Sequence, residues 1–503
     1  MIRTLTMFVL LAAAPALAAP PPALETPVKD DTWQAARTAL GQRLRAVNRP
    51  KRARNVILMI GDGMGIATIT AGRIYDGQHP ASGPPRTGEE NSLAFETLPH
   101  VALVKTYNTN AQVPDSAGTA SAMNTGVKTR IGTINFGAGQ DAAACKTPAA
   151  LPTTLAEIAK RRGMGVGVVT TTRITHATPA AVFAHVPNRN WEGADRAYPA
   201  TDRASGCPDI ARQLVDFAPA GAAGGGLDVV LGGGRARFLP TAQGGSRDDG
   251  ADLVAAWKAR FPAGSYVDGA AGFGGLDPRA PGPVLGLFNN DHLTFEADRD
   301  PGKEPSLADM ARFAVAKLAA GSKARRRGYY LMIEGGRIDH AHHASNPARA
   351  LSETQQFSRA VAAVLASVDL NDTLVLVTAD HSHVMTIAGY PERGNDILGY
   401  IHNAAAGEAS GPVSPEGWAL DDQGRPMTTL SYANGPRVSP PLSSTLPPND
   451  KNRLADKTYG TGSESHGGED VALFADGPRS ELAAGVIEQN LIFHIMAEAL
   501  GWR

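Results

Sequence analysis

The sequence predicts an α/β fold, a mostly parallel central sheet flanked by helices on both faces. Two observations carry this. Short apolar runs rich in β-branched residues recur along the chain, and several are separated by stretches with helical patterning. Such alternation implies a sheet covered on both faces. A third observation bounds the size: 503 residues, 43% of them hydrophobic, suffice for one large domain with insertions, or for two. The 55 Gly and 36 Pro punctuate the chain heavily, yet Ala, Val, Ile and Leu are too frequent for disorder.

From the N-terminus, "MIRTLTMFVLLAAAPALAAP" combines Arg3, an apolar run too short to cross a bilayer, and Ala-Leu-Ala before a proline-rich stretch. Residues 1–19 therefore read as a signal peptide, with an uncleaved anchor as the alternative, and 20–54 as an N-terminal segment. "NVILMI" (55–60) is the first predicted strand. After Asp115-Ser116, the small-residue run "SAGTASAM" fits a tightly packed helix with Ser116 at or near its N-terminus. There the backbone N–H groups and the helix dipole favour an anion.

Helix is predicted at Thr153–Arg162, strand at "VGVVTTT" (166–172) and "LDVVLGG" (227–233), then helix at Leu307–Leu318. Strand "YYLMIEG" (329–335), helix Ala348–Val368 and strand "TLVLVTAD" (373–380) follow, and "VALFADG" (471–477) reads as the last strand. Cys145 and Cys207 are the only cysteines. An even count in an exported chain usually pairs, but sequence separation says nothing about distance, so both outcomes stay open. With 48 basic against 49 acidic residues and no long basic stripe, composition gives no support to a nucleic-acid partner.

Several predicted strands end in metal-type ligands: Asp62 after the first, Glu334 in "YYLMIEG", and Asp380 with His381 in "TLVLVTADHSH". In sheets of this kind, ligands gather beyond the carboxyl ends of the strands. One Asp after a strand is commonly a turn or a helix cap, whereas several together suggest one rim. In "EGGRIDHAHH", Asp339 and His343 are four apart and share a face if helical. "SESHGGED" adds His466 in a Gly-rich turn. Imidazole and carboxylate without thiolate suit a catalytic zinc site. No Gly-x-Ser-x-Gly elbow occurs, which weakens a serine-esterase reading of Ser116. Zinc can stabilise the alkoxide instead, while a second zinc orients the attacking group or leaving oxygen.

Six motifs, "GDGMG", "PDSAGTA", "HATPAAVFAHVPNR", "EGGRIDHAHHASNP", "TADHSH" and "HGGEDVALFADGP", occur in the order found in the alkaline phosphatases. From about Asn55 to the C-terminus the chain resembles that family. The resemblance implies a catalytic domain over 55–503 with an alkaline phosphatase-like sheet and a crown-like insertion at 386–462. It implies that Ser116 is the phosphorylated nucleophile. Asp339, His343 and His466 match the ligands of one zinc, and Asp62, Asp380 and His381 those of a second. Asp62 also reaches toward a magnesium otherwise held by His176, Thr178 and Glu334. Arg189 matches the guanidinium that clamps phosphate, with Asp115 nearby to orient it. Two zincs and a bidentate Arg suit in-line displacement at phosphorus. An exported, periplasmic or secreted homodimer acting on phosphate monoesters is implied as well.

His176 and His340 stand where some members have Asp and Lys, a combination like that of the vertebrate enzymes. Those relatives also carry calcium. Phe288 and Glu304 match part of that site, but Asn289 replaces an acidic ligand, so the site is expected to be weakened or absent. "VSPPLSSTLPP" reads as a loop in the insertion. A dinucleotide reading of "GDGMG" fails at its third glycine, where Ile66 stands. Two rivals remain: a phosphodiesterase of the same superfamily, and a non-catalytic exported protein that binds zinc or phosphate. The match at Arg189 and the magnesium trio favour monoesters, and Ser116 beside Arg189 favours catalysis, since neither is needed to hold zinc.

Overall fold

Ten strands make the main sheet: β1 (Asn55–Gly61), β2 (His100–Lys105), β3 (Gly165–Arg173), β4 (Val229–Gly233), β5 (Ser265–Val267), β6 (Val284–Leu287), β7 (Tyr329–Gly335), β8 (Thr373–Ala379), β14 (Val471–Asp476) and β15 (Gly485–Glu488). The remaining strands are β9 (Ser382–His383), β10 (Met385–Ile387), β11 (Leu430–Pro436), β12 (Asp456–Thr461) and β13 (His466–Gly467). The structure is a computed structural model and describes residues 52–222, 224–325, 327–402, 412–436 and 446–502, with Trp33, Gln34, Arg37, Thr38, Leu40 and Gly41. The expected signal peptide and most of the 20–54 segment lie outside the described residues, as does most of "VSPPLSSTLPP".

The sheet order is β15-β2-β14-β8-β1-β7-β3-β4-β6-β5. The central strands β1, β7 and β8 are buried along their whole length, which is why they read as unbroken apolar runs. β1 runs parallel to β7 and β8, and β3 parallel to β7 and β4. Register places the functional residues together: Ile60 is level with both Glu334 and Thr378. Asp62 and Asp380 therefore leave the sheet at the edge where β7 ends, one residue past Glu334.

The predicted mostly parallel sheet is present, with one antiparallel element: β14 runs against both β2 and β8. "VALFADG" is not the last strand, since β15 follows it. β15, β5 and β6 span only three or four residues, too few for a periodicity signal. β2 alternates exposed and buried positions near the sheet edge.

Eight helices bear on the argument: α1 (Ile66–Gln78), α2 (Ser116–Thr125), α3 (Leu155–Arg161), α4 (Ala177–Ala180), α5 (Leu307–Arg325), α6 (Arg337–His343), α7 (Pro347–Leu365) and α8 (Leu491–Ala499). α7 starts where Asn346 accepts from Arg349 N, with Pro347 in the first turn, so cap and fixed φ both favour initiation there. α2 is buried at every residue, and its small side chains are what permit that. A Cβ on Gly118 would come within 2.1 Å of the Asn108 amide.

Between Met385 and Thr461, β10, β11 and β12 form a separate three-stranded sheet. Cys145 and Cys207 are joined by a disulfide, with Cα atoms 5.1 Å apart. The enclosed loop contains β3 and α4 as well as Arg189. Among the described residues no helix is long and apolar enough to cross a membrane.

Candidate metal centre and nucleophile

The predicted ligands meet beyond the carboxyl ends of β1, β7 and β8. His381 Nε2 lies 3.4 Å from Asp62 Oδ1 and 3.3 Å from Asp380 Oδ2. Asp339 and His343, on successive turns of α6, approach to 3.3 Å between Oδ1 and Nε2. His466 is not in a turn but in the two-residue β13, which pairs with β9 opposite His383. Its Nε2 lies 3.4 Å from Asp339 Oδ1 and 3.1 Å from His343 Nε2. Donors held tetrahedrally at about 2.0–2.1 Å from an ion sit about 3.3–3.4 Å from one another. Two donor sets in this protein show that spacing. The second, of Asp62, Asp380 and His381, is fully buried, whereas His343 and His466 are partly exposed, which leaves solvent access on the Asp339 side.

Asp62 also faces a third group. Asp62, His176 and Glu334 each present a ligand atom within 4.8 Å of the others, and Thr178 Oγ1 donates to Asp62 Oδ2 at 3.4 Å. Glu334 Oε2 accepts from Thr170 Oγ1, and from Thr172 Oγ1 at 3.0 Å.

Ser116 is the first residue of α2, and Asp115, not the serine, is its cap: Asp115 Oδ1 accepts from Gly118 N at 3.1 Å. The serine hydroxyl is thereby released from capping and sits 3.2 Å from His381 Nε2. The other carboxylate oxygen of Asp115 accepts from Gly132 N and Arg189 Nη1, both at 3.0 Å. Arg189 Nη2 donates to His176 Nε2 at 3.1 Å. Nucleophile, guanidinium and donor sets thus surround one space at a helix N-terminus, where an anion is favoured.

The electrostatics call for cations. Burial, then the charges of Asp380, Asp339 and Glu334, push the Asp62 pKa well above the ordinary carboxylate range. Burial raises Glu334 to about 7 and lifts Asp380 too. Burial drives His381 and His176 far below the usual imidazole range, so both rings are neutral and able to bind metal. Asp339 goes the other way, because His343, His383 and His466 outweigh its burial. Among the described residues, Asp62, Asp339 and Asp380 pair with imidazoles, not with lysine or arginine. Asp62 Oδ1, Glu334 Oε1 and His176 Nδ1 are buried without a hydrogen-bond partner. Buried carboxylates so placed are costly unless an ion compensates them, so the donor set fits bound metal.

Two residues escaped sequence reasoning. His383 Nε2 lies 2.7 Å from Asp339 Oδ1, and its Nδ1 lies 2.5 Å from Glu464 Oε2. His383 also belongs to two of the groups able to hold a metal. Its signal was present, since "HSH" puts His381 and His383 two apart, with the same facing in an extended segment. Glu464, two before His466, is anchored by Val384 N at 2.8 Å.

The calcium residues do not fit a calcium ion. Asp291 N donates to Asn289 Oδ1 at 3.1 Å, which turns Asn289 Nδ2 toward Glu304 Oε1 at 2.6 Å. Glu304 further accepts from Thr294 N at 2.8 Å and Thr294 Oγ1 at 3.0 Å. A donor stands where a cation needs an acceptor.

The alkaline phosphatase family model matches residues 53–502. The tissue-nonspecific alkaline phosphatase isozyme of Gallus gallus is 41% identical over 467 residues, covering 89% of this chain and 84% of that protein. An alkaline phosphatase of Gadus morhua is 39% identical, covering 91% and 93%. The crystal structure of Thermus thermophilus alkaline phosphatase superposes with a TM-score of 0.64 at 25% identity, covering 91% of this chain and 93% of that one.

Proposed function

The chain belongs to the alkaline phosphatase family of phosphoric monoester hydrolases, and from that premise we propose that it cleaves phosphate monoesters through a phosphoserine at Ser116, in a centre of two zinc ions and one magnesium. The observation that carries this reading is the pair of donor sets flanking Ser116, each with the spacing of a tetrahedral ion. Asp339, His343 and His466 hold one zinc in this reading, and Asp62, Asp380 and His381 the other. Asp62, His176, Thr178 and Glu334 hold the magnesium. Bound zinc supplies Lewis acidity, which lowers the pKa of a neighbouring hydroxyl or water.

Arg189 takes two phosphate oxygens on its planar guanidinium, and Asp115 at Nη1 keeps that plane turned toward Ser116. Ser116 Oγ, fixed on the first turn of α2, forms a bond to phosphorus as the ester oxygen departs on the far side and leaves as the alcohol. Water then displaces Oγ, releases inorganic phosphate and returns a proton to the serine. The helix N-terminus favours the anion in both steps.

Residues 1–19 are read as a signal peptide, which directs the chain to the periplasm or outside the cell. The Cys145–Cys207 bond suits such an oxidising compartment. The assembly proposed is a homodimer with the crown-like 386–462 insertion at its interface. Acid quenching during turnover, followed by mass mapping, tests the chemistry: one phosphoryl group on the peptide bearing Ser116 is expected. Steady turnover with no phosphopeptide contradicts the covalent route.

A further inference from the structure

Residues 288–295 leave β6 and dock on the carboxyl ends of β3 and β4. Phe288 N donates to Gly232 O at 2.9 Å, Leu293 N to Thr171 O at 3.0 Å, and Arg235 N to Asn289 O at 2.9 Å. Gly234 N donates to Asp291 O at 2.7 Å, and its φ of +91° with Arg173 Cβ 2.9 Å from a built Cβ makes glycine necessary there. The hydrogen bonds onto Glu304 described above close the segment from behind. Hydrogen bonds therefore fix it to the sheet along its length.

Its middle reaches the wall of the third metal pocket. Arg173, the last residue of β3, donates from its backbone N to His292 Nδ1 at 3.1 Å. Its guanidinium donates through Nη1 to Asp291 Oδ1 at 2.6 Å, and that nitrogen also lies 2.6 Å from His292 Nε2. The other edge of the guanidinium makes a two-point contact with Glu192 at 2.8 and 2.7 Å, and Thr175 Oγ1 donates to the same carboxylate at 2.6 Å. The turn closes as His176 N donates to Arg173 O at 2.9 Å. His292 also meets the His176 ring edge-on, with centroids 5.3 Å apart, and the His340 ring at 4.2 Å. The turn from Arg173 to His176 is thus braced by Asp291 and His292 on one side and by Glu192 on the other, in addition to Ile174 N donating to Gly233 O at 3.1 Å and Arg189 Nη2 to His176 Nε2.

We propose that His292, together with Asp291, is a positioning residue for the third metal pocket: through Arg173 it sets the turn that aims His176, and hence the pocket's affinity for magnesium. This rests on reading Asp62, His176, Thr178 and Glu334 as that pocket. His292 touches neither the reacting serine nor the proposed ligand atoms of the two zinc sets. Its loss is therefore expected to act first on the third ion.

Magnesium is titrated calorimetrically into the zinc-loaded full chain, comparing wild type with His292→Ala and His292→Gln, with zinc content measured in each. The expected result is one magnesium per wild-type chain, and binding about 10–100-fold weaker in His292→Ala, the range for loss of a partner behind a ligand. Zinc content is expected to be unchanged. His292→Gln, which keeps an acceptor for Arg173 N–H, is expected to fall between, and it applies the same criterion if the alanine variant does not fold. Magnesium binding as tight in the variants as in wild type overturns the inference, and so does loss of zinc alongside magnesium. A wild type that takes up no magnesium instead overturns the third-pocket reading, and the inference with it.

Discussion

Replacing His383 by glutamine tests whether the buried carboxylates around it depend on a cation. The ring lies between Asp339 and Glu464, at 2.7 and 2.5 Å, and all three side chains are buried. Burial opposes charge on the ring, but hydrogen bonds to Asp339 and Glu464 outweigh it and raise its pKa from 6.5 to about 10. A rise of that size corresponds to about 5 kcal/mol of stability. Because the folded state holds the proton more tightly, this stabilisation is complete below pH 6.5 and is lost as pH rises through 10. Glutamine does not titrate. In urea unfolding of the metal-stripped proteins, wild type is therefore expected to exceed His383→Gln most at pH 6, with most of the excess gone by about pH 9.5. Groups that titrate alike in both proteins cancel in that difference. A gap that stays constant across this range refutes the reasoning.

Reduction of the disulfide, or Cys207→Ser, releases a cross-link spanning 62 residues and is expected to lower unfolding free energy by about 4 kcal/mol, read from the urea midpoint. Asp115→Ala removes both the α2 cap and the partner of Arg189. It is expected to cost about 1 kcal/mol of stability, with a much larger fall in kcat/KM on a phosphate monoester. His343→Ala is expected to lose zinc as well as rate, and wild-type zinc content in the purified variant contradicts the ligand assignment. Millimolar calcium is expected to leave the wild-type thermal midpoint unchanged. Asn289→Asp, which sets a second carboxylate against Glu304, is expected to lower the midpoint in calcium-free buffer and regain it with calcium.

The site was legible where chemistry coincides with strand ends. Asp62, Glu334 and Asp380 follow unbroken apolar runs, and the parallel register of β1, β7 and β8 makes neighbours of residues far apart in sequence. Asp339 and His343 were legible because helical spacing alone puts them on one face. Glu464 was not, and His383 carried only the spacing signal of "HSH", since the roles of both depend on the pairing of β9 with β13, two strands of two residues each. Nor did the sequence say that Asp115 would take the cap and leave Ser116 free, because either residue is a good cap. The antiparallel β14 was recognisable as a strand but not in its direction, which is set by its partners β2 and β8. The disulfide became visible only once folding brought its Cα atoms to 5.1 Å.

The most direct test of the central claim is turnover by zinc- and magnesium-loaded protein at alkaline pH, on a chromogenic phosphate monoester and its diester, beside Ser116→Ala. Strong monoester turnover that disappears in Ser116→Ala while zinc is retained is the predicted result. Preference for the diester contradicts the role given to Arg189 and moves the protein to the phosphodiesterases, and absence of turnover with zinc bound contradicts catalysis altogether.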